Sequence, residues 1–278
     1  MNPPLEIVVL GKPQITWKGE PLTADLISAK GQALLIYLAV TGQACSRQSI
    51  SGLLWGDFSE ERARGNLRLT LSKLRGVVGD YIIPTRQSLA FDFSLPHSLD
   101  AGEFTRHCAA PEKSKPSQLE SVIARYRGNF LDDFHLHEAP DFETWVVVER
   151  ERFQQMALAS LAHLAATTQH QHDFEKAAAF ARRILALEPW REEAHRQLMA
   201  VLAQSGQRSA ALSQFEACKK HLDEELGVEP SVETKALYDR IKLGDVQEAD
   251  GESARRVESK PPSQSPRQKS ASDLRHNL

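Results

Sequence analysis

The chain has 278 residues, 41% hydrophobic and 26% charged, with a net charge of -3; this describes globular domains, with length for two of ordinary size and a tail. No run approaches the ~20 apolar residues of a membrane helix, and Met1-Asn2-Pro3-Pro4 lacks the basic and apolar regions of a signal peptide, so a cytoplasmic product is expected, nucleoid-associated if it binds DNA. Cys45, Cys108 and Cys218 lie far apart and form no CxxC, which argues against a disulfide framework or a zinc ligand set and leaves buried thiols as their expected fate.

In chain order, Leu5 to Leu10 reads as a strand. After Gly11-Lys12-Pro13 a second run alternates Ile15 and Trp17 before Gly19-Glu20-Pro21 turns again, predicting a small antiparallel sheet. Ala29 to Val40 is a helix ended by Thr41-Gly42-Gln43. Ser46 then caps a second helix that turns Ile50, Leu53 and Leu54 inward and stops at Trp55-Gly56-Asp57. Ser59 or a neighbour opens a third helix, and after Gly79 the period changes. Tyr81 to Thr85 and Ser88 to Phe91 read as two short strands with Arg86-Gln87 at the tip. Three helices followed by a hairpin is the order of a winged helix-turn-helix, in which the third helix enters the major groove and the hairpin lies across the backbone.

The third helix carries the functional signal. From Arg62 to Arg75 it has Arg62, Arg64, Arg68, Lys73 and Arg75 and no carboxylate; the acids stop at Glu60 and Glu61, where the helix dipole favours them. Leu67, Leu71, Leu74 and Val78 fall within about 60° of one another and form the core-facing stripe. Arg64, Arg68 and Arg75 flank the stripe on one side, and Arg62, Lys73 and Asn66 on the other. Gly65, Leu69, Ser72 and Gly76 form a narrow far pole. Such a pole between cationic flanks suits a groove, with phosphates gripped by the flanks and base edges read near the pole. Up to Asp100 the chain has ten Lys and Arg against nine Asp and Glu, so the contact would be local and not a general coating of polyanions.

From Pro116 to Leu243 the pattern is nearly all helix, with helices predicted from Leu119 to Gly128 and from Asp141 to about Gln169. Ala177 recurs as Ala211, Leu164 as Leu198, and Ala181 as Phe215, each at a 34-residue offset, the period of tetratricopeptide units. Hairpins of this kind stack to bury their apolar faces, with the flanking helices near Leu119 and from Val232 to Ile241 as caps. Beyond Gly244 the composition becomes that of a disordered tail or linker.

The blocks Leu53-Leu54-Trp55-Gly56-Asp57, Ala63-Arg64-Gly65-Asn66-Leu67 and Leu71-Ser72-Lys73-Leu74-Arg75 resemble the OmpR-like winged helix of antibiotic regulatory proteins of the SARP type. Tyr126-Arg127-Gly128-Asn129-Phe130-Leu131, Trp145 to Arg152, Glu192 to Met199 and Glu224 to Pro230 are similar to the bacterial transcriptional activator domain. The resemblance covers about residues 5 to 243 and implies a mainly α fold with a small β component. It divides into a winged helix-turn-helix (1–99), an all-α tetratricopeptide-like domain (100–243) and a disordered C-terminal tail (244–278). It also implies a transcriptional activator that binds direct repeats of double-stranded DNA near promoters as a head-to-tail dimer and recruits RNA polymerase. Carried over by position, Arg68, Leu69, Thr70 and Lys73 face bases, while Arg62, Arg64, Asn66, Arg75 and Arg86 face the backbone or minor groove. The family usually has arginine where this chain has Lys73, and lysine cannot make the planar fork to guanine, so base preference is expected to differ. Gly65 lowers helix propensity by ~1 kcal/mol relative to alanine and would let that end approach the backbone closely.

Other chemistry finds no carrier. His135-Leu136-His137-Glu138 and His170-Gln171-His172-Asp173 lack the i, i+4 spacing of a helical zinc site and read as loops, so neither metal nor cofactor is expected. Ser160 and Ser205 lie in no GxSxG, and no enzymatic activity is expected. The competing reading is a repeat-type scaffold or signalling adaptor. A further alternative is the front end of a larger ATPase regulator, although the chain has no GxxxxGK[ST] loop.

Overall fold

In the computed structural model, which describes residues 4–23 and 25–245, helices dominate and two small sheets lie near the N-terminus. Strands β1 (Leu5–Val8), β2 (Gln14–Trp17) and β3 (Glu20–Pro21) are followed by helix α1 (Ala29–Thr41), β4 (Cys45–Ser46), α2 (Arg47–Trp55), α3 (Glu60–Val78), β5 (Ile82–Pro84), β6 (Ser88–Phe91) and β7 (His97–Leu99). The helices then run α4 (Asp100–Cys108), α5 (Pro116–Ile123), α6 (Pro140–His170), α7 (Phe174–Leu187), α8 (Glu192–Gln204), α9 (Arg208–Leu226) and α10 (Val232–Leu243).

Local chemistry explains the boundaries. The Ser28 and Ser46 hydroxyls accept from the amides of Gly31 and Ser49 at the starts of α1 and α2, and Gly42 ends α1 at φ 71°, a left-handed turn glycine takes without strain. Ser59 occupies the N-cap position of α3 without making a side-chain cap bond. Ala63, Leu67, Leu71, Leu74 and Val78 are the buried residues of α3.

The first sheet is larger than its expected two strands. Its order is β3-β2-β1-β7, and β7 adds parallel to β1, with Leu5, Glu6 and Ile7 opposite His97, Ser98 and Leu99. Three residues at the end of the winged unit carry too short a pattern to register as a strand. The second sheet, β4-β6-β5, ties the hairpin to the start of α2.

A second correction concerns the helix expected from Leu119 to Gly128, which stops at Ile123. Arg127 to Asp132 instead pair with the residues that follow β1: the Arg127 amide donates to Leu10 O (3.3 Å), Gly11 N to Asn129 O (3.1 Å), Leu131 N to Val9 O (2.9 Å) and Asp132 N to Gly11 O (3.0 Å). The backbones touch closely, because Gly11 stands at φ 122° and a Cβ there would meet Arg127 and Gly128. The buried carboxylate of Asp100 accepts from the amides of Val9, Leu10 and Ala101, at 3.0, 3.0 and 2.7 Å. Burial pushes its carboxyl above the ordinary value, while these amides and the charge of Arg125 pull it back. One apolar core therefore runs without a break from Leu5 through Phe104, Phe130 and Phe153 to Leu164.

The 34-residue repeat is real in space. Leu164 lies on α6 and Leu198 on α8; Ala177 and Ala181 lie on α7, and Ala211 and Phe215 on α9; all six are buried. Ala177, Ala181, Leu198, Ala211, Phe215 and Ile241 belong to a second apolar cluster, on which α10 acts as the cap. Gly244 closes α10 in a left-handed turn at φ 89°. The tail expectation for residues 246–278 falls outside the described residues.

Candidate nucleic-acid interface

The three faces of α3 meet three surroundings. Its apolar stripe enters the core. Arg64, Arg68, Ser72 and Arg75 line a groove of about 1390 Å³ whose far wall is Arg47 and Gln48 of α2 and Pro84 to Gln87 of the hairpin. Asn66, Leu69 and Thr70 instead line a second cleft of about 600 Å³, closed by Lys30, Trp55, Phe58 and the segment His135 to Glu138. Leu69 is 66% exposed. Arg62 and Lys73 are exposed and line neither cleft.

Hydrogen bonds set the wing. The Arg47 amide donates to Gln87 O (2.8 Å) and its guanidinium Nε to Thr85 O (3.0 Å). The Thr85 hydroxyl accepts from the amides of Gln87 (3.2 Å) and Ser88 (2.8 Å). The tip is thus held against the start of α2, and Arg86 is exposed on the wall facing α3. Sequence reasoning passed over Arg47; the usable signal was its place directly after the cap Ser46, at the helix end that faces the hairpin.

The cations differ in freedom. Arg64 pairs with Glu60, and Arg75 lies 3.9 Å from Asp80. The Arg62 guanidinium lies 4.7 Å from the ring centroid of Phe58, whose ring also carries Lys30 Nζ at 5.4 Å. Two cations thus share one aromatic ring, and Lys30 also reaches Glu138 at 3.5 Å. Among the described residues Arg68, Lys73 and Arg86 form no ion pair, so their charge is available to an incoming anion. Within the groove only Glu60 and Glu61 oppose the arginines. Gly65 and Gly76 have open space where a side chain would stand, consistent with a surface that admits close approach.

The other candidates dissolve into structure. Cys45, Cys108 and Cys218 are free and buried, and burial drives the Cys218 thiol up to about 11. Among the described residues no group of three His, Cys, Asp or Glu is placed to hold a metal ion, and no helix is long and apolar enough to cross a membrane. Trp145 is a packing residue, edge-on to Tyr37 at 5.0 Å and to Phe130 at 5.5 Å, so it joins the winged unit to α6.

A winged helix-turn-helix fused to helical repeats, with free arginines around a groove, defines a class of DNA-associated regulators. Residues 99–242 match the bacterial transcriptional activator domain, and this chain belongs to that family. The regulatory protein AfsR of Streptomyces griseus is 24% identical over 87% of this chain, which spans only 25% of that relative. The transcriptional regulatory protein EmbR of Mycobacterium tuberculosis is 26% identical over 85% of this chain and 63% of its own length. MoaR1, a transcriptional regulatory protein of the same organism, is 24% identical over 84% of this chain and 78% of its own length. Among solved structures, M. tuberculosis EmbR in complex with a low-affinity phosphopeptide shares the fold, with a TM-score of 0.64 at 21% identity, covering 91% of this chain and 68% of that one.

Proposed function

We propose that this chain is a sequence-specific DNA-binding transcriptional regulator, an activator that docks α3 in the major groove with the wing beside it. The supporting observation is the groove between α3 and the hairpin, where Arg68 and Arg86 face one space with no ion-pair partner among the described residues. In this reading Arg68, Leu69, Thr70 and Lys73 approach base edges, and the exposed Leu69 covers a thymine methyl. Arg62, Arg64, Asn66, Arg75 and Arg86 approach the sugar-phosphate backbone or the minor groove. Arg47 joins this second set.

The tandem head-to-tail arrangement on direct repeats, with recruitment of RNA polymerase, belongs to the same proposal. Exposed Leu226, Val228 and Val232 at the end of the repeats supply apolar surface for a second copy. A mobility-shift titration tests the core of it. Changing Arg68 and Lys73 together to alanine should abolish sequence-selective retardation, a loss of roughly 2–5 kcal/mol if both read bases. Retardation equal to that of the unaltered chain would leave the scaffold reading in its place. Affinity should also fall steeply with salt, with a log-log slope of about -0.9 per phosphate neutralised.

A further inference from the structure

The third helix is flanked on both sides. The wing occupies one flank; on the other, the segment His135 to Glu138, which belongs to the helical unit, shares a cleft with Asn66, Leu69 and Thr70 of α3. This segment is held in place. The Arg150 guanidinium donates to the carbonyls of Phe130 and Leu131, both at 2.8 Å, Leu136 and Ala139 are buried, and the Leu136 amide donates to Glu143 Oε1 at 2.5 Å. The segment is thus anchored at Leu136 and Ala139, on either side of His137.

The dimensions of B-form DNA then constrain the docked state. A helix with its side chains is about 10–12 Å across and the major groove about 12 Å wide, so a phosphate strand must run along each flank of an inserted helix. One strand passes the wing. The other passes the mouth of the second cleft, where His137 stands exposed and, among the described residues, without a hydrogen bond or ion pair.

We infer that the helical unit itself touches the duplex, with the His137 imidazole contacting the phosphate strand that runs along the flank of α3 opposite the wing. This rests on the DNA-binding reading above and adds a contact from the second domain. The surrounding charges permit it. Glu138 lies 3.5 Å from Lys30 of α1, Glu143 of α6 lies 3.4 Å from His135, and Asp133 lies 2.7 Å from Lys12; Asp132 stands by the same lysine. From α3 the groups facing the cleft are the neutral Asn66, Leu69 and Thr70, and Arg62 and Lys30 share the ring of Phe58 nearby. Asp132 and Asp133 share Lys12, Glu138 has Lys30 and Glu143 faces His135, and the ring of His137 stacks with that of His135, with centroids 6.3 Å apart.

Histidine changes charge between pH 5 and 8, and an adjacent phosphate favours the imidazolium. The contact therefore carries a signature that a purely steric role lacks. The experiment is fluorescence anisotropy of the full chain on a duplex that the unaltered protein recovers from a randomised pool. Three forms are compared at about pH 6 and about pH 8: unaltered, His137→Ala and His137→Arg. The alanine variant should bind ~5-fold more weakly near pH 6 and within ~2-fold near pH 8, and the arginine variant should lose this pH sensitivity while retaining affinity. If the unaltered chain binds and His137→Ala matches it at both pH values, the contact is refuted while the α3 interface stands. If the unaltered chain recovers no duplex, the DNA-binding reading fails and this inference falls with it.

Discussion

The winged unit and the last repeat are attached to the body of the molecule in different ways. The winged unit is joined to the body by main-chain pairing of Val9, Leu10 and Gly11 with residues 127–132, the segment between α5 and α6, and by the Asp100 carboxylate at the start of α4, above one continuous apolar core. The last repeat, α8 to α10, is joined by side-chain stacking in a smaller, alanine-rich cluster. Main-chain pairing fixes an orientation, whereas stacked hairpins follow a sum of nearest-neighbour terms and open from the end. The surfaces proposed to face DNA accordingly sit on the part fixed by main-chain pairing, and the end of the repeats is the part expected to open first.

The comparison can be broken most directly at Phe215, which stacks on Tyr238 with centroids 4.3 Å apart. Phe215→Ala should cost about 3 kcal/mol, and hydrogen exchange should show α9 and α10 opening while the amides of α1 and α3 keep their protection. Equal loss of protection in α1 and α3 would make the chain one cooperative unit. Asp100→Ala should cost somewhat less, about 2–3 kcal/mol, because it leaves the amides of Val9 and Leu10 without their acceptor. Its effect should appear as a lowered Tm together with weaker DNA binding, since it loosens the winged unit from the body. The smallest expected effect depends on pH. Burial depresses the pKa of His195, reinforced by His221 and opposed by its bond with the Pro189 carbonyl and by Glu192. The unfolded chain therefore binds this proton at a higher pH than the folded one, so stability present above about pH 6.5 is lost as pH falls below it. The expected loss is small, confined to the last repeat, and it should vanish in His195→Gln.

The sequence was most readable where a period repeats. The apolar stripe of α3, the 34-residue spacing of Leu164 with Leu198 and the hairpin around Arg86 all reach the structure close to where periodicity puts them. Elements that depend on distant partners were not readable. β7 is three residues whose meaning comes from β1, and the irregular course after Ile123 is dictated by the main-chain groups of Val9 to Gly11. For the candidate site, the two flanks of α3 could be assigned from helical geometry, but not their neighbours. That Asn66 and Thr70 face a segment of the second domain, and that Arg47 holds the wing, are tertiary facts without a local pattern.

The tether between Arg47 and the hairpin tip has an evolutionary consequence. The carbonyls of Thr85 and Gln87 are engaged by Arg47 and the Thr85 hydroxyl holds the amides of Gln87 and Ser88, so replacing Thr85 disturbs the scaffold, while replacing residue 86 does not. Paralogues descending from this chain could exchange the side chain displayed at that position by single codon changes, without rebuilding the turn that displays it.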